Sequence, residues 1–381
     1  MSFKQVYITK TANFLPNEPV SNDEMESYLG MINNQPSKSK KIVLRNNGIK
    51  RRFYALAKGG TATHTNAQMT ANAVKGLFEN PEEIKTIDLL SCGTSSPDQM
   101  MPSHGVMVHG WLPQTGPIEV VSPSGVCCAG MHAFKYAWMA VRTGDAKTAV
   151  TSGSERMSRL LVSDLFEDEV AKLTELEQNP YISFEKDFLR WMLSDGAAAF
   201  LLTDTPNENG VSLRVDALEG VSYANEMEAC MYMGSEKQAD GTLKSYMDFT
   251  PEEMVEKSIL SIKQDVKLLG DNIVPLGGIK LQKLFEKQGL KSSEIDYFLP
   301  HISSEFFRSK IAAQLEKNGN PIAPEKWFVN LSQIGNVGAG SIYLMVDELF
   351  NSGKLKKGEK ILLLVPESSR FSYMYCLLTV V

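Results

Sequence analysis

The chain has few cysteines and no apolar run long enough to cross a membrane. Its 381 residues include five cysteines, which form no C-x-x-C pair and are odd in number. This argues against both a disulfide framework and a zinc site. No apolar run approaches the roughly 18 residues of a spanning helix, and residues 1–16 contain no signal-peptide core. We therefore expect a cytoplasmic protein with reduced thiols and no metal.

The chain also lacks the positive charge of a general nucleic-acid binder. Its formal net charge is −6, which argues against a surface that coats nucleic acid. Lysine and arginine are nevertheless concentrated at residues 38–52 and 354–360. Such clusters could receive an acidic carrier protein or the phosphates of coenzyme A, or they could be ordinary solvated faces.

Short apolar runs alternate with amphipathic segments, which predicts an α/β fold with a largely parallel sheet. The predicted strands are residues 5–9, 87–91, 118–121, 149–155, 197–203, 296–299 and 327–330, with a terminal hairpin at 360–365 and 372–381. The predicted helices are residues 65–78, 131–142, 251–269 and 342–351.

The polar segment 205–210 is the best candidate boundary between two halves of similar architecture. We predict an N-terminal half at 1–210, with a charged helical insert near 156–190, and a C-terminal half at 211–381. Because strands and helices alternate in the same way in both halves, we expect a structural duplication.

Two adjacent cysteines stand where a predicted strand passes into a helix. Cys127 and Cys128 follow the strand at 118–121 and precede the helix at 131–142. The free N–H groups and positive end of a helix favour thiolate over thiol. The placement predicts a nucleophile with a lowered pKa.

One histidine and one asparagine lie at comparable junctions. His301 leaves the end of a predicted buried strand, where parallel α/β sheets gather their functional groups. Asn336 lies in a glycine-rich turn that enters the helix at 342–351. That turn lacks the lysine of a phosphate-binding loop, so a nucleotide site is disfavoured.

A thiol, an imidazole and an amide in such settings suggest one site with two possible uses. The thiol could accept an acyl group while the other two hold a developing oxyanion. Alternatively, the imidazole could act as a base for the thiol, as in a Cys/His/Asn protease. The residue types alone do not separate these uses.

Segments 126–131, 297–301 and 335–342 resemble, in order and context, the Cys, His and Asn segments of type III β-ketoacyl-acyl-carrier-protein synthases. Segment 193–199 is similar to that family's strand entry. The resemblance implies a thiolase-like fold, a duplicated five-layered αβαβα architecture, and a homodimer that pairs through an edge strand. It assigns Cys128 as nucleophile, beside His301 and Asn336, and implies substrates carried on acyl carrier protein or coenzyme A without a further cofactor.

One loop departs from the family pattern. Residues 365–371, Val-Pro-Glu-Ser-Ser-Arg-Phe, stand where the family has a glycine-rich loop. A backbone N–H of Ser368 or Ser369 would complete the acyl oxyanion hole with that of Cys128.

The segment 366–373, with 45–50, 91–99 and 188–196, resembles a narrower branch, the DarB-type dialkylresorcinol-condensing enzymes of flexirubin-type pigment pathways. That resemblance implies two carbon–carbon bonds. A β-ketoacyl thioester adds to an unsaturated acyl thioester, and closure gives a 2,5-dialkylcyclohexane-1,3-dione that a separate enzyme aromatises. The alternatives are a single decarboxylative condensation with malonyl-carrier protein, which gives a linear β-ketoacyl product, and a catalytically silent partner subunit.

Ring closure needs a further acid, base or anchored donor. Glu155, at the end of a predicted strand, and Arg370 are the candidate pair; a purely structural ion pair is the alternative. Methionine-rich stretches at 100–101, 107 and 227–233 are candidates for pockets that hold two alkyl chains.

Overall fold

The computed structural model describes residues 3–37, 39–163 and 189–381. Most of the charged insert predicted near 156–190 lies outside the described residues. The strands are β1 Tyr7–Phe14, β2 Val20–Ser21, β3 Arg51–Arg52, β4 Leu89–Thr94, β5 Glu119–Val121, β6 Thr148–Glu155, β7 Gly196–Thr203, β8 Leu213–Ser222, β9 Met231–Tyr232, β10 Ser235–Lys237, β11 Leu243–Ser245, β12 Lys263–Gln264, β13 Tyr297–Pro300, β14 Lys360–Glu367 and β15 Ser372–Val380. The helices are α1 Met25–Leu29, α2 Lys40–Asn47, α3 Asn66–Lys75, α4 His104–Gly110, α5 Ala129–Thr143, α6 Pro251–Glu256, α7 Val266–Gln288, α8 Phe306–Lys317, α9 Leu331–Ile334 and α10 Ser341–Phe350.

Nine strands form a mixed sheet in the order β13-β14-β15-β8-β1-β7-β6-β4-β5. Strands from the first half occupy one end and strands from the second half the other. The halves meet where β1 pairs antiparallel with β8 at Tyr7–Arg214 and Ile8–Leu213. These two residue pairs join the strands of the first half to those of the second in one sheet.

Three apolar clusters separate the layers. One joins α3 to the outer face of the first half, around Val74 and Leu90. A second lies between the halves and includes α5 and α10, with Phe134 and Tyr343. The third packs α7 and α8 on the second half. The αβαβα order follows, and it confirms the predicted thiolase-like fold class.

The expectation of a largely parallel sheet is wrong, because five of the eight strand pairings in the large sheet are antiparallel. Two predicted elements are also wrong. Residues 251–269 are not one helix: α6 ends at Glu256, Ser258 has a positive φ of 49°, and β12 pairs with β9 before α7 begins. Residues 327–330 form only one bridge, from Trp327 to Phe298, because a turn precedes them and α9 follows at once.

Other predicted elements match the structure to within a few residues. The helix predicted at 131–142 is α5, which ends at Thr143 before Gly144 in the left-handed conformation. The terminal hairpin is β14 and β15, paired antiparallel along their length. No helix among the described residues is long and apolar enough to cross a membrane.

Candidate active site

The turn between β5 and α5 presents the two cysteines. Gly125 has φ 155°, a conformation that favours glycine, and the backbone then turns so that Ala129 N–H donates to Val126 O at 3.0 Å. Cys128 is the N-cap of α5, and its carbonyl accepts from His132 N–H at 2.9 Å. The two thiols therefore project from successive positions at a helix start.

Of the two cysteines, Cys127 contributes to the wall of a cavity. Cys127 lines a cavity together with His301 and Asn336. Cys128 has no exposed surface, and its Sγ donates to Val365 O of β14 at 3.4 Å. This placement differs from the assignment of Cys128 as the thiol that meets the substrate. Both cysteines belong to the apolar cluster between the halves, and Cys127 also contributes to the cavity wall.

The environment of both thiols opposes ionisation. Burial raises the pKa of Cys127 and of Cys128 well above the usual thiol value, and the Glu367 carboxylate raises each pKa further. The expectation of a lowered pKa from the helix end is therefore wrong. The cavity thiol is protonated at neutral pH, so its attack on a thioester requires a proton acceptor.

The Glu367 carboxylate lies directly at the cysteine turn. Its Oε2 accepts from Val126 N–H at 2.9 Å and from Cys128 N–H at 3.0 Å, while Oε1 accepts from Ser369 Oγ at 2.7 Å. The Cys128 N–H predicted to help form an oxyanion hole is therefore engaged by a carboxylate. Sequence analysis noted the departure of this loop from the family pattern but not the role of Glu367.

The two serines of that loop have different surroundings. Ser368 lines the cavity, and its Oγ lies 3.8 Å from Met231 Sδ. The carbonyl of Ser369 accepts from Cys230 N–H and Met231 N–H, at 2.8 and 3.2 Å. Ser369 thus ties the loop to β9, and Ser368 is the serine at the cavity.

His301 is fixed by the strand it leaves. Its N–H donates to Leu364 O of β14 at 2.7 Å, just beyond the parallel pairing of β13 with β14. Burial lowers the pKa of His301 to about 4. At neutral pH the ring is an uncharged imidazole that can donate one hydrogen bond.

Asn336 is held by the backbone on both sides. Its N–H donates to Met192 O at 3.2 Å, its carbonyl accepts from Ser194 N–H at 2.9 Å, and its Oδ1 accepts from Gly338 N–H at 2.9 Å. Because the amide oxygen is already bound, the orientation leaves the Nδ2 donor for the cavity. His301 and Asn336 therefore supply two neutral donors to one space.

Glu155 and Arg370 are not brought together. Glu155 is fully buried at the end of β6 and lines the cavity, whereas Arg370 is exposed and its Nε donates to Met227 O at 2.8 Å. The predicted pairing of Arg370 with Glu155 is wrong. The tight hairpin between β14 and β15 directs Arg370 to the surface.

Glu155 instead has a complete set of hydrogen-bond donors. Oε1 accepts from Ser95 N–H and Ala339 N–H, each at 3.1 Å, and Oε2 accepts from Thr94 Oγ1 at 3.3 Å and Ser96 Oγ at 2.5 Å. Burial raises the pKa of Glu155 by more than these hydrogen bonds lower it, so the pKa lies above its ordinary value. Glu155 is therefore a buried carboxylate in the cavity wall, and each of its oxygens accepts two hydrogen bonds.

The cavity is mostly apolar and has a volume of about 300 Å³. Much of its wall comes from α7 and α8, through residues such as Leu269, Ile273 and Ile311. Among the predicted methionines, Met231 and Met233 line it, but Met101 is 86% exposed. Sequence analysis missed α7 as a wall because the helix boundary there was misplaced.

Three comparisons relate the chain to known condensing enzymes. Residues 285–365 match the C-terminal domain family of 3-oxoacyl-[acyl-carrier-protein] synthase III. β-Ketoacyl-[acyl-carrier-protein] synthase III 1 of Deinococcus radiodurans is 25% identical over 362 residues, covering 95% of this chain and 90% of that protein.

Solved structures show the same fold. The 3-oxoacyl-[acyl-carrier-protein] synthase III of Aquifex aeolicus superposes with a TM-score of 0.70 at 21% identity, covering 98% of this chain and 99% of that one. The tetronic acid condensing enzyme AbyA1 gives 0.72 at 18% identity, with the same coverage. OleA of Xanthomonas campestris, with acetamide bound, gives 0.70 at 18% identity, covering 100% of both chains. The chain therefore has the thiolase-like fold of these condensing enzymes, and over nearly its whole length it is similar in sequence to acyltransferases named β-ketoacyl-[acyl-carrier-protein] synthase III.

Proposed function

We propose that the protein joins two acyl thioesters through an acyl group carried on Cys127. The observation that supports this most directly is the shared cavity of Cys127, His301 and Asn336. The Cys127 sulfur attacks the carbonyl carbon of a thioester, the carbon–sulfur bond to the carrier breaks, and the thiol proton passes to the released carrier thiol. The exchange of one thioester for another is close to isoenergetic, so no further energy source is needed.

His301 and Asn336 then stabilise the carbanion partner. A second thioester loses a proton or carbon dioxide, and its enolate oxygen accepts from the imidazole and the Asn336 amide. Donors fixed before the charge develops, in a site with little water, stabilise such an oxyanion strongly. The low pKa of His301 suits this use, because a neutral ring donates without having to be charged.

For the product we propose a 2,5-dialkylcyclohexane-1,3-dione, the precursor of a dialkylresorcinol. The C2 carbanion of a β-ketoacyl thioester adds to the β-carbon of an unsaturated acyl thioester, and C4 of the adduct then attacks the carbonyl of that acyl thioester, which closes the ring and expels its thiol. Water hydrolyses the remaining thioester and releases the second thiol, and the resulting β-keto acid loses carbon dioxide to give the dione. Two features support this choice: the loop 366–373 resembles the dialkylresorcinol-condensing branch, and the cavity holds polar groups beyond the three central ones, namely Ser95, Glu155 and Ser368. Aromatisation of the dione falls to a separate enzyme.

A linear product is the second candidate. The relatives at 23–25% identity are named β-ketoacyl-[acyl-carrier-protein] synthase III, which favours a single decarboxylative condensation with malonyl-carrier protein. Both reactions use the same acyl-thiol step and differ only after the first carbon–carbon bond.

Product analysis separates the two. The purified protein is incubated with a β-ketoacyl thioester and a 2-enoyl thioester, and separately with an acyl thioester and malonyl-carrier protein. We expect a cyclic dione from the first pair, identified by its mass and isotope pattern. A linear β-ketoacyl product from the second pair, with no dione from the first, would reject the ring-forming proposal and retain the condensing activity.

We also propose that the protein is a cytoplasmic homodimer that receives its substrates from acyl carrier protein or coenzyme A. Among the described residues β5 is one of the two edge strands of the large sheet, and Val106 in α4 and Met139 in α5 are 48% and 43% exposed. Lys41, Arg45 and Lys50 are exposed cations in the first basic cluster that could meet phosphate or an acidic carrier. Light scattering during gel filtration is expected to give twice the 42.2 kDa of one chain; a monomer mass would reject the dimer.

A further inference from the structure

One glutamine of the cavity wall has no hydrogen-bond partner in the protein. Gln264, in β12, lines the cavity and is 4% exposed. Its Oε1 is buried, and no other described residue forms a hydrogen bond with its amide. Several buried side-chain polar atoms lack a partner within the described ranges, but of these only Gln264 Oε1 belongs to a residue that lines this cavity. A buried amide is costly unless it is paired, so we looked for the ligand group that pairs with it.

Gln264 belongs to the part of the wall that meets the loop 366–371. It is the direct antiparallel partner of Met231, and residues paired in this way project from the same face of their strands. Met231 also lines the cavity, and its Sδ accepts from Ser368 Oγ at 3.8 Å. The N–H of Met231 donates to the carbonyl of Ser369 at 3.2 Å. The glutamine therefore lies one strand away from the loop beside the cysteine turn.

The other side-chain amides of the cavity are already committed. Asn336 Oδ1 accepts from Gly338 N–H at 2.9 Å, and its Nδ2 is the proposed donor to the enolate oxygen. Gln314, in α8, donates from Nε2 to Asn318 Oδ1 at 2.8 Å. A carboxamide has two N–H donors and one acceptor oxygen. Within the described part of the chain, Gln264 is thus the cavity amide that has both kinds of group available for a ligand.

The substrates of the proposed reaction include a group that suits this amide. A β-ketoacyl thioester has a ketone oxygen on its β-carbon, whereas a saturated or 2-enoyl chain has no oxygen there. When the β-ketoacyl thioester loses a proton from the carbon between its two carbonyls, the negative charge is shared by both carbonyl oxygens. His301 and Asn336 are the proposed donors to the thioester oxygen. The ketone oxygen is also costly to bury in an apolar cavity unless it accepts a hydrogen bond.

We propose that the Gln264 amide donates from Nε2 to the β-ketone oxygen and thereby selects β-ketoacyl thioesters over thioesters that lack this oxygen. This inference rests on the proposed condensation and names the substrate class that Gln264 recognises. A saturated chain in the same place leaves the amide unpaired, and sites built around a hydrogen bond discriminate strongly against such analogues. The hydrogen bond strengthens as the carbanion forms, because the ketone oxygen then carries part of the charge.

Binding to a chain that lacks the cavity thiol measures this selectivity without any change at Gln264. In Cys127→Ala, isothermal titration calorimetry gives the Kd of a β-ketoacyl-coenzyme A and of the saturated acyl-coenzyme A with the same number of carbons. We expect the β-ketoacyl ester to bind about tenfold more tightly. Equal Kd values, or tighter binding of the saturated ester, would overturn the proposal.

Gln264→Met, made in the Cys127→Ala chain, removes the amide and keeps an unbranched side chain. We expect the Kd of the β-ketoacyl ester to rise about tenfold and that of the saturated ester to stay within about twofold. An equal rise for both esters would mean that Gln264 contacts the coenzyme A portion that they share, and would overturn the proposal. Gln314→Met is the matched control, and the ratio of its two Kd values should equal that of Cys127→Ala. A ratio near one in this control as well would also count against Gln264 as the selecting residue.

Malonyl-coenzyme A tests the other source of an oxygen on the β-carbon, which in that ester is a carboxylate. A loss of binding in Gln264→Met that is confined to malonyl-coenzyme A would overturn the ketone as the ligand of the amide. Product formation by the wild type tests the proposed function separately. A wild type that forms no carbon–carbon bond would overturn the proposed function, whereas one that condenses thioesters without selectivity at Gln264 would overturn only this inference.

Discussion

Cys127 and Cys128 are neighbours in the chain but belong to different environments: Cys127 lines the cavity, and Cys128 Sγ donates to Val365 O at 3.4 Å in the core. We therefore propose that Cys127 is the thiol that meets a substrate. The family pattern of Cys-Ala-Gly selects the other thiol. The two assignments predict the acyl group on different sulfur atoms.

Removal of the His301 side chain should separate acyl loading from condensation. We expect His301→Ala to load an acyl group at Cys127 normally, because the ring is not needed for that step. Condensation should fall by about 100-fold or more, because one of two donors to the enolate is lost. Single-turnover acylation and product formation, measured on the same preparation, give the two rates. A parallel loss of both would contradict the assigned role.

The low pKa of His301 predicts the pH dependence of condensation. Because burial lowers this pKa to about 4, the ring remains neutral throughout the range near its ordinary value of about 6.5. The rate of condensation from preloaded enzyme should therefore show no histidine transition between about pH 5.5 and 8, the range around that ordinary value. The contrary result is a change in the rate of condensation centred near pH 6.5, present in the wild type and absent in His301→Ala. It would mean that the His301 ring titrates like a solvent-exposed histidine, whose pKa is about 6.5.

Arg370 should have little effect on the reaction. It is exposed and donates to the backbone carbonyl of Met227, so Arg370→Ala should retain ring formation within about twofold. Glu155→Gln, by contrast, should lower the free energy of unfolding by about 1–3 kcal/mol. Its amide nitrogen cannot accept the two hydrogen bonds that the replaced carboxylate oxygen accepts. Rates of dione formation and thermal unfolding of both variants check this. A large loss of dione formation in Arg370→Ala would restore a catalytic role for the arginine.

The buried thiols should weaken the fold at alkaline pH. Burial raises the pKa of Cys92 to about 12 and raises that of Cys127, Cys128 and Cys376 well above the usual value. In the unfolded chain these thiols ionise near pH 8.5. Their stabilising contribution is thus complete below that pH and declines as pH rises above it, by up to about 1.4 kcal/mol per thiol and pH unit.

Urea unfolding at pH 7.5 and pH 9.5 measures this loss. We expect a lower free energy of unfolding at the higher pH, with a smaller loss in Cys92→Ala because one titrating thiol is absent. An equal free energy at both pH values would mean that the thiols are not buried as described.

Gly130 is required for the approach of α5 to the neighbouring loop. A Cβ built there would lie 2.4 Å from Ala339 O and 3.3 Å from Gly153 Cα. Gly130→Ala should therefore destabilise the protein by about 1–3 kcal/mol through overpacking. Gly110→Ala is the matched control: a Cβ at this helical glycine meets no atom within 4 Å, so its effect should stay within about 1 kcal/mol. Equal melting temperatures for the two variants would be inconsistent with this packing.

The sequence predicts the fold class well because buried strands carry strong local signals. Local sequence alone is enough to recognise the apolar run that contains β6 and the helix α5. Residues 251–269 also favour a helix locally. Their division into α6, β12 and the start of α7 depends on the pairing of Lys263–Gln264 with Met231–Tyr232, a tertiary contact that local propensity does not contain.

The site was predictable in composition but not in orientation. His301 and Asn336 follow from strand ends and a glycine-rich turn, and the structure places both in one cavity. The choice between Cys127 and Cys128 depends on which residue reaches the cavity wall, a tertiary relationship that the local pattern does not contain. The position of Glu367 depends on a hairpin 239 residues from Cys128 along the chain, beyond the reach of any local pattern.

The most direct test of this account is to locate the acyl group. Wild type, Cys127→Ala and Cys128→Ala are each incubated with a panel of acyl-coenzyme A and acyl-carrier-protein thioesters, and the adduct is mapped by intact and peptide mass spectrometry. We predict one acyl group per chain on Cys127 in the wild type and in Cys128→Ala, and none in Cys127→Ala. An adduct on Cys128 that persists in Cys127→Ala would contradict the central claim.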